Sequence, residues 1–420
     1  MANITVLAVG SRGDVQPYVA LGLGLQSAGH HVRLAAHLPF KDFVERHGLE
    51  FALLVGDPQA IVEDSRVRAT MQSGRDPIAF LRLFKREGLP QLEQLNNDIL
   101  FACHGADLIL YSLLAAAGYH VAQKMGVPCM PIVLQPFSRT RAFPNLFIPS
   151  RPHLGGTFNY LSHVGSEQGF WQALRPRYNR WLKDVLGIQP EGFFGPYRRL
   201  YQQRVPFLYG YSRHVVPKPA DWPDWYHVTG YWFLGNEAGW RPPPDLLNFL
   251  GSGPPPVYIG FGSMVGGDPQ SALQMVLEAL EITGQRGLLL RGWGGLSGTD
   301  LPSNVHMAAS VPHAWLFPRV AAVVHHGGSG TTAAGLGAGV PSILIPHFAD
   351  QPFWADRVHT LGLSPAPIPR RKLSADRLAH AIHAALNDQV LREKATALGE
   401  QIRAEDGVAR ASEIIHRHIC

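Results

Sequence analysis

Residues 320–351, VAAVVHHGGSGTTAAGLGAGVPSILIPHFADQ, hold the densest set of side chains able to do chemistry in this chain of 420 residues. They read as an apolar strand at 320–324, a His-Gly-Gly-Ser-Gly turn, a small-residue helix and a second apolar strand at 342–346. Ligands in open α/β sheets bind where such a glycine turn leaves the carboxyl end of a strand. Gly327, Gly328 and Gly330 allow a ligand close to the backbone, with Ser329 between them. Thr331 and Thr332 then open a helix whose N–H groups and positive dipole end favour phosphate. His325 and His326 stand beside that phosphate position, and Asp350 and Gln351 leave the next strand at the same rim. A strand-end histidine is often structural and a polar pair is often an ordinary loop. Together, though, a diphosphate position, a histidine and a pair for hydroxyls describe a nucleotide-sugar site.

Asp14 is the sharpest single candidate elsewhere. It follows the first strand inside Gly10-Ser11-Arg12-Gly13-Asp14, where a carboxylate could take a proton from an attacking hydroxyl. An N-cap for the helix that follows explains the same spacing equally well. Arg12 beside it and Ser263, in a second glycine turn at 260–266, are further candidates for phosphate contact. No Asp-x-Asp pair occurs, which argues against a diphosphate held by metal; a histidine and a helix end would then stabilise it instead. His380, His383, His416 and His418 lack carboxylate or cysteine partners at metal-ligand spacing and read as a solvated helix face.

Two similar strand-and-glycine segments, at 4–14 and 257–266, must position these residues. Each begins a doubly wound domain, so the expected fold is α/β, two Rossmann-like domains facing a central cleft. The division is an N-terminal acceptor-binding domain at 1–240, a proline-rich linker at 241–256, and a C-terminal nucleotide-sugar domain with a tail helix at 257–420. Further strands are expected at 31–36, 107–111, 131–134, 207–211, 287–290 and 305–308, and helices at 15–28 and 113–124. Residues 137–181 are aromatic-rich, proline-interrupted and weakly periodic, which suits an irregular binding loop. Its Phe137, Phe143, Phe147, Phe170 and Trp171 would line an apolar pocket or pack the domain's own core, and the pattern does not choose between the two.

Composition bounds the answer. The chain is 46% hydrophobic and 16% charged, with a net charge of +5 and no block of five like charges. Nucleic-acid binding has no motif to support it, and the basic surplus suits surface solubility or contact with an anionic membrane. Three cysteines without CxxC spacing suggest free buried thiols in a reducing cytoplasm. The N-terminal residues read as a first strand and not as a signal peptide, and no apolar run reaches the length of a bilayer span.

The sequence resembles the inverting UDP-glycosyltransferases of the two-domain GT-B class (glycosyltransferase family 1), and within them the sterol 3β-glucosyltransferase-like branch. The resemblance is carried by GSRGDVQPYVALGLGLQSAGHHVRLAAH at 10–37, FKDFVERHGLEF at 40–51, KPADWPDWYHVTGYWFL at 218–234 and PPPVYIGFGSM at 254–264. It continues through VPHAWLFPRVAAVVHHGGSGTTAAGL at 311–336 and GVPSILIPHFADQPFWADRV at 339–358. It implies that Asp14 is the catalytic base and that His326, Gly328, Ser329, Gly330, Thr331 and Ser263 contact the donor diphosphate. It implies that Asp350 and Gln351 bind the donor sugar, and that no metal and no cofactor is needed beyond the UDP-sugar co-substrate. Departures occur at Ser310, where plant members carry a base-stacking tryptophan, and at Ala314, where the sterol branch carries an acid. The Val311 backbone and Trp293 are then the candidates for the base.

The expected function is transfer of a hexose, with UDP-glucose as the expected donor, to a hydroxyl of a lipophilic acceptor such as a sterol. The protein would be cytoplasmic or peripheral at a membrane. A natural-product transferase using UDP- or dTDP-sugars, a nucleotide-sugar epimerase on the same fold and a non-catalytic sensor are the rival readings. The epimerase would want more acid–base groups around the sugar than Asp14 alone.

Overall fold

The computed structural model describes residues 1–56, 89–148, 153–235, 239–260, 269–290 and 301–419. The chain forms two compact units: one reaches Phe233 and regains the chain from Asp406 onward, and the other holds Leu234–Glu405.

The first unit alternates strand and helix: β1 (Asn3–Leu7), α1 (Arg12–Ser27), β2 (His31–His37), α2 (Lys41–Arg46) and β3 (Glu50–Leu54). It continues with α3 (Leu89–Ala102), β4 (Leu108–Tyr111), α4 (Ala117–Met125), β5 (Cys129–Val133), α5 (Gly155–Trp181), α6 (Tyr197–Gln202), β6 (Phe207–Tyr209) and β7 (Tyr226–Val228). All seven strands pair in parallel, in the order β3-β2-β1-β4-β5-β6-β7. Parallel neighbours need crossover connections, and the helices supply them. Central strands are covered on both faces, so β4 is apolar and buried at every position. The chain lays down β1 to β3 in one direction and β4 to β7 in the other, which makes the β1/β4 boundary a topological switch point.

The second unit repeats this plan with α7 (Pro244–Gly251), β8 (Val257–Gly260), α8 (Pro269–Thr283), β9 (Gly287–Leu290), β10 (Val305–Ala308), α9 (His313–Leu316) and β11 (Ala322–His325). It ends with α10 (Ser329–Ala338), β12 (Ser342–Leu344), α11 (Gln351–Thr360), α12 (Ala375–Asn387) and α13 (Gln389–Arg403). Its parallel order is β10-β9-β8-β11-β12, with the switch point between β8 and β11. Val257, Ile259, Val324 and Ile343 pack one sheet face against α8 and α12, while Tyr258, Val323 and Leu288 pack the other. Each unit is thus the doubly wound domain that the paired glycine segments led one to expect.

Several elements differ from expectation, each for a physical reason. Residues 137–181 are largely the 27-residue helix α5, not an irregular loop. Its periodicity is weak because its outer side mixes Leu161, Phe170 and glycines with arginines, instead of being uniformly polar. The passage 241–256 is not a bare linker, because α7 lies within it and fully buries Leu246 in the second unit's core. The tail helix α14 (Gly407–Ile419) belongs to the first unit. It packs on α1 so closely that a Cβ on Gly24 would lie 2.5 Å from Val408 Cγ1. His416 there is not merely solvated, since its Nδ1 lies 3.1 Å from Nε2 of the buried His30. Cys103 and Cys129 are free, and burial pushes both thiols up to about 12; Cys420 lies outside the described residues. No helix among the described residues is long and apolar enough to cross a membrane.

The α1–α14 approach predicts that Gly24→Val lowers stability by overpacking, by roughly 1–3 kcal/mol. Urea unfolding measures this directly. An unchanged midpoint would mean that α14 does not depend on that contact.

Candidate active site

Asp14 is the third residue of α1, and the extended residue Ser11 is the N-cap. The Asp14 Oδ2 accepts from the Ser11 N–H at 2.8 Å and from Ser11 Oγ at 3.0 Å, the acidic half of a capping box. The N-cap role weighed for Asp14 therefore falls to Ser11, and both hydrogen bonds use the same carboxylate oxygen. Burial pushes the Asp14 carboxyl above its ordinary range, while the Ser11 hydrogen bonds pull the other way. Gly10 has φ +142°, and a Cβ there would run into the Asp14 carboxylate. The turn thus has a glycine for both conformation and space. Arg12 points back along its own unit, with its guanidinium 5.0 Å over Phe43 and its Nε 3.4 Å from Gln16 Oε1.

In the second unit, β11 ends at His325, beside the β8/β11 switch point. His325 is fully buried; its Nδ1 accepts from the Gly327 N–H at 3.1 Å, which fixes the turn. Gly327 has φ +88°, and a Cβ there would meet the Gln351 carbonyl at 3.2 Å. The helix α10 begins at Ser329, two residues earlier than the threonines suggested, and its N-cap is Gly328. That cap brings no side-chain acceptor, and Gly330 and Thr331 occupy the first turn, whose N–H groups have no acceptor within a helix. A Cβ on Gly328 would lie 2.5 Å from His326 Nε2, so the imidazole lies against the helix start. His326 Nδ1 is buried without a hydrogen-bond partner, and burial lowers this group to about 4. A neutral imidazole and a helix N-terminus here suit an anion.

Asp350 and Gln351 come next to this turn. Asp350 caps α11 and its Oδ2 accepts from Trp354 Nε1 at 2.9 Å. Gln351 is 5% exposed, and its Oε1 accepts from the His347 N–H at 2.9 Å and the Phe348 N–H at 3.3 Å. Ala349, immediately before the pair, has φ +55°, a left-handed conformation rare for alanine, at the bend that turns it.

His347 was missed from the sequence. Its Nε2 is buried without a partner, and burial together with nearby His326 and Arg370 lowers it to about 3. The only signal was its position four residues before Gln351. Nothing in the spacing showed that the fold would carry it to His326.

Other candidates scatter. Ser263 and Trp293 lie outside the described residues. The Val311 side chain is buried with Leu316 and Phe317, so only its backbone could serve a base. Trp171 is a correction: it packs in the first unit's core with Tyr178 and Trp181, because its place on α5 is on the buried side of the helix. Phe137, Phe147 and Phe170 form a chain of rings, each 5.9 Å from the next, with Phe147 and Phe170 exposed. Phe143 packs against His163 at 6.1 Å. Of the aromatic set, these four phenylalanines are left for an apolar ligand.

His326→Ala should weaken UDP binding by roughly 10–100-fold, the cost of about 1.5–3 kcal/mol for one hydrogen bond to a charged group. Gly328→Ala should weaken it too, by pushing the ring off the helix start. Calorimetric titration with UDP reads both, and unchanged affinities would exclude this turn as the phosphate position.

Comparison with known proteins bears on the fold. Residues 4–144 match the family model of the glycosyltransferase family 28 N-terminal domain. Residues 295–417 match that of the erythromycin biosynthesis protein CIII-like C-terminal domain. Over 99% of its length the chain is 39% identical to a sterol 3-beta-glucosyltransferase of Cryptococcus neoformans var. neoformans serotype D, and it spans 27% of that protein. The calicheamicin glycosyltransferase CalG4 superposes with a TM-score of 0.72 at 19% identity, covering 100% of this chain and 98% of its own. The glycosyltransferase SsfS6 of Streptomyces sp. SF2575, complexed with thymidine diphosphate, does so with a TM-score of 0.64 at 19% identity, covering 99% and 100%. With two doubly wound units and whole-chain superposition on such structures, the chain has the fold of the GT-B glycosyltransferases, and each half matches a glycosyltransferase or antibiotic-biosynthesis domain model.

Proposed function

We propose that the chain is an inverting, metal-independent glycosyltransferase that moves glucose from UDP-glucose to a hydroxyl of a sterol or a similar lipophilic acceptor. The observation that carries this is the start of α10, where a glycine cap and a buried neutral His326 meet the first turn of a helix. Asp14 takes the proton of the acceptor hydroxyl as its oxygen attacks the anomeric carbon. The bond from that carbon to the diphosphate breaks, and UDP leaves with the electron pair. The Gly330 and Thr331 N–H groups and the His326 imidazole stabilise its charge without needing a metal. Asp350 and Gln351 hold the sugar hydroxyls, and His347 adds a polar atom to the same turn. The acceptor class is supported by the sterol glucosyltransferase homologue and by the exposed Phe147 and Phe170.

A transferase using dTDP-sugars on natural products is the second reading. Ser310 leaves the base without a stacking partner there, and the SsfS6 neighbour carries thymidine diphosphate. Mass spectrometry of UDP-glucose, UDP-galactose and dTDP-sugars paired with sterols, triterpenes, flavonoids and macrolides, with EDTA present, decides between them. A hexose added to sterols from UDP-glucose supports the first reading. Transfer only from dTDP-sugars supports the second, and donor loss without glycosylated product contradicts both.

Asp14→Asn keeps an acceptor for Ser11 but removes the base. It should lower turnover by roughly 10²–10⁴-fold while leaving UDP affinity near that of the wild type. In the unmodified enzyme the base must be ionised, and its pKa is raised by burial. The rate should therefore rise with pH through a midpoint above the ordinary carboxylate range and fall as pH drops below it. A flat acid limb would dismiss Asp14 as the base.

A further inference from the structure

The loop after α5 presents two adjacent phenylalanines to solvent, Phe193 at 57% and Phe194 at 70% exposure. Exposed aromatic pairs normally sit on mobile loops, but this one is fastened at every residue. Asn179 grips Glu191 on both sides, donating to its carbonyl at 2.9 Å and accepting from its N–H at 3.0 Å. Trp171 Nε1 donates to the Gly192 carbonyl at 3.1 Å, Gln172 Nε2 to the Phe193 carbonyl at 2.6 Å, and Gln168 Nε2 to the Phe194 carbonyl at 3.2 Å. The Glu191 carboxylate is tied to His120 at 3.0 Å and to Arg199 at 3.1 Å. Four side chains of α5 thus satisfy the carbonyls of four consecutive loop residues while both rings point outward.

That arrangement suits an apolar medium. A loop entering lipid headgroups must not bring unsatisfied carbonyls with it, and these are already bonded. Apolar exposure continues along α5 at Leu161 and Phe170 and on to Phe147. The charge of this stretch of sequence is one-sided. Residues 137–204 hold ten Arg and Lys against three Asp and Glu, a surplus of seven where the whole chain has +5. Two of the three acids, Glu167 and Glu191, are already paired with Arg139 and Arg199. Arg175 lies over the Phe193 ring at 5.6 Å. Aromatic rings beside arginines match the interface of an anionic bilayer. The same positive surplus disfavours a second copy of this chain at the same face.

We propose that the 191–195 loop and the outer face of α5 form a docking surface for an anionic lipid bilayer. It rests on the reading of the acceptor as a lipophilic molecule, and it would bring the Phe147 and Phe170 rings to the membrane in which such an acceptor resides.

The test is sedimentation of the full chain with phosphatidylcholine vesicles, with and without phosphatidylglycerol, at low and high salt. The wild type should sediment only with the phosphatidylglycerol vesicles, and less at high salt. A Phe193→Ser/Phe194→Ser variant, with its thermal unfolding unchanged, should bind at least about tenfold more weakly. A variant at two exposed arginines of this basic stretch, Arg177→Ser on α5 and Arg198→Ser on α6 just beyond the loop, should lose on the order of tenfold or more. Absence of phosphatidylglycerol-dependent binding, or a phenylalanine variant that binds as well as the wild type, overturns the proposal. So does a concentration-dependent dimer in light scattering that disappears in that variant, since the surface would then be a self-contact. Because sedimentation needs no turnover, vesicle binding without sterol glucosylation would leave the docking surface standing and refute only the acceptor.

Discussion

A helix that starts where a parallel strand ends carries N–H groups that its own backbone cannot satisfy, and both units of this protein are built on that constraint. After β1 the need is met from within: Ser11 caps α1 and its N–H goes to the Asp14 carboxylate. After β11 the cap is Gly328, which has no side chain to offer, and the helix start is framed by His326 instead. The same strand–glycine–helix motif thus holds a carboxylate of its own in one unit, and in the other it begins a helix on a glycine cap with His326 against it. Both motifs stand at the point where the strand order reverses, where neighbouring crossovers leave room for a ligand.

Burial then decides the protonation states. Asp14 is pushed up, which makes its carboxylate a better proton acceptor than an exposed one. His326 and His347 are pushed down to about 4 and about 3, so neither is charged at neutral pH in the structure as it stands. An incoming diphosphate would oppose that shift. The positions of these rings are set by neighbours with other tasks: His325 ties Gly327, and Gln351 ties the backbone at His347. The candidate site is therefore stiff before any ligand arrives, and Ala349 is held in a strained conformation within it.

The first unit answers a different need. Its helix α5 has an inner face of Trp171, Tyr178 and Trp181 in the core, and an outer face of leucine, phenylalanine and glycine with few charges. An amphipathic reading of that segment fails because leucine, phenylalanine and glycine share its outer side with arginines. Three of its polar residues, Gln168, Gln172 and Asn179, bond the carbonyls of the following loop.

What the sequence by itself determined is local. The strands of the second sheet, the glycine turns after β1 and β11 and the helix at 15–28 could be read because glycine, apolar runs and capping residues act within a few positions of the chain. Only the tertiary structure decided the rest. It brought His347 to His326, returned α14 to α1, and sent Trp171 into the core while leaving Phe147 and Phe170 outside. Each of these depends on contacts between residues distant in the chain, or on which face of a helix is covered. Residue type and spacing do not carry that information, because the same phenylalanine is equally suited to a core, a pocket or a bilayer until its surroundings are built.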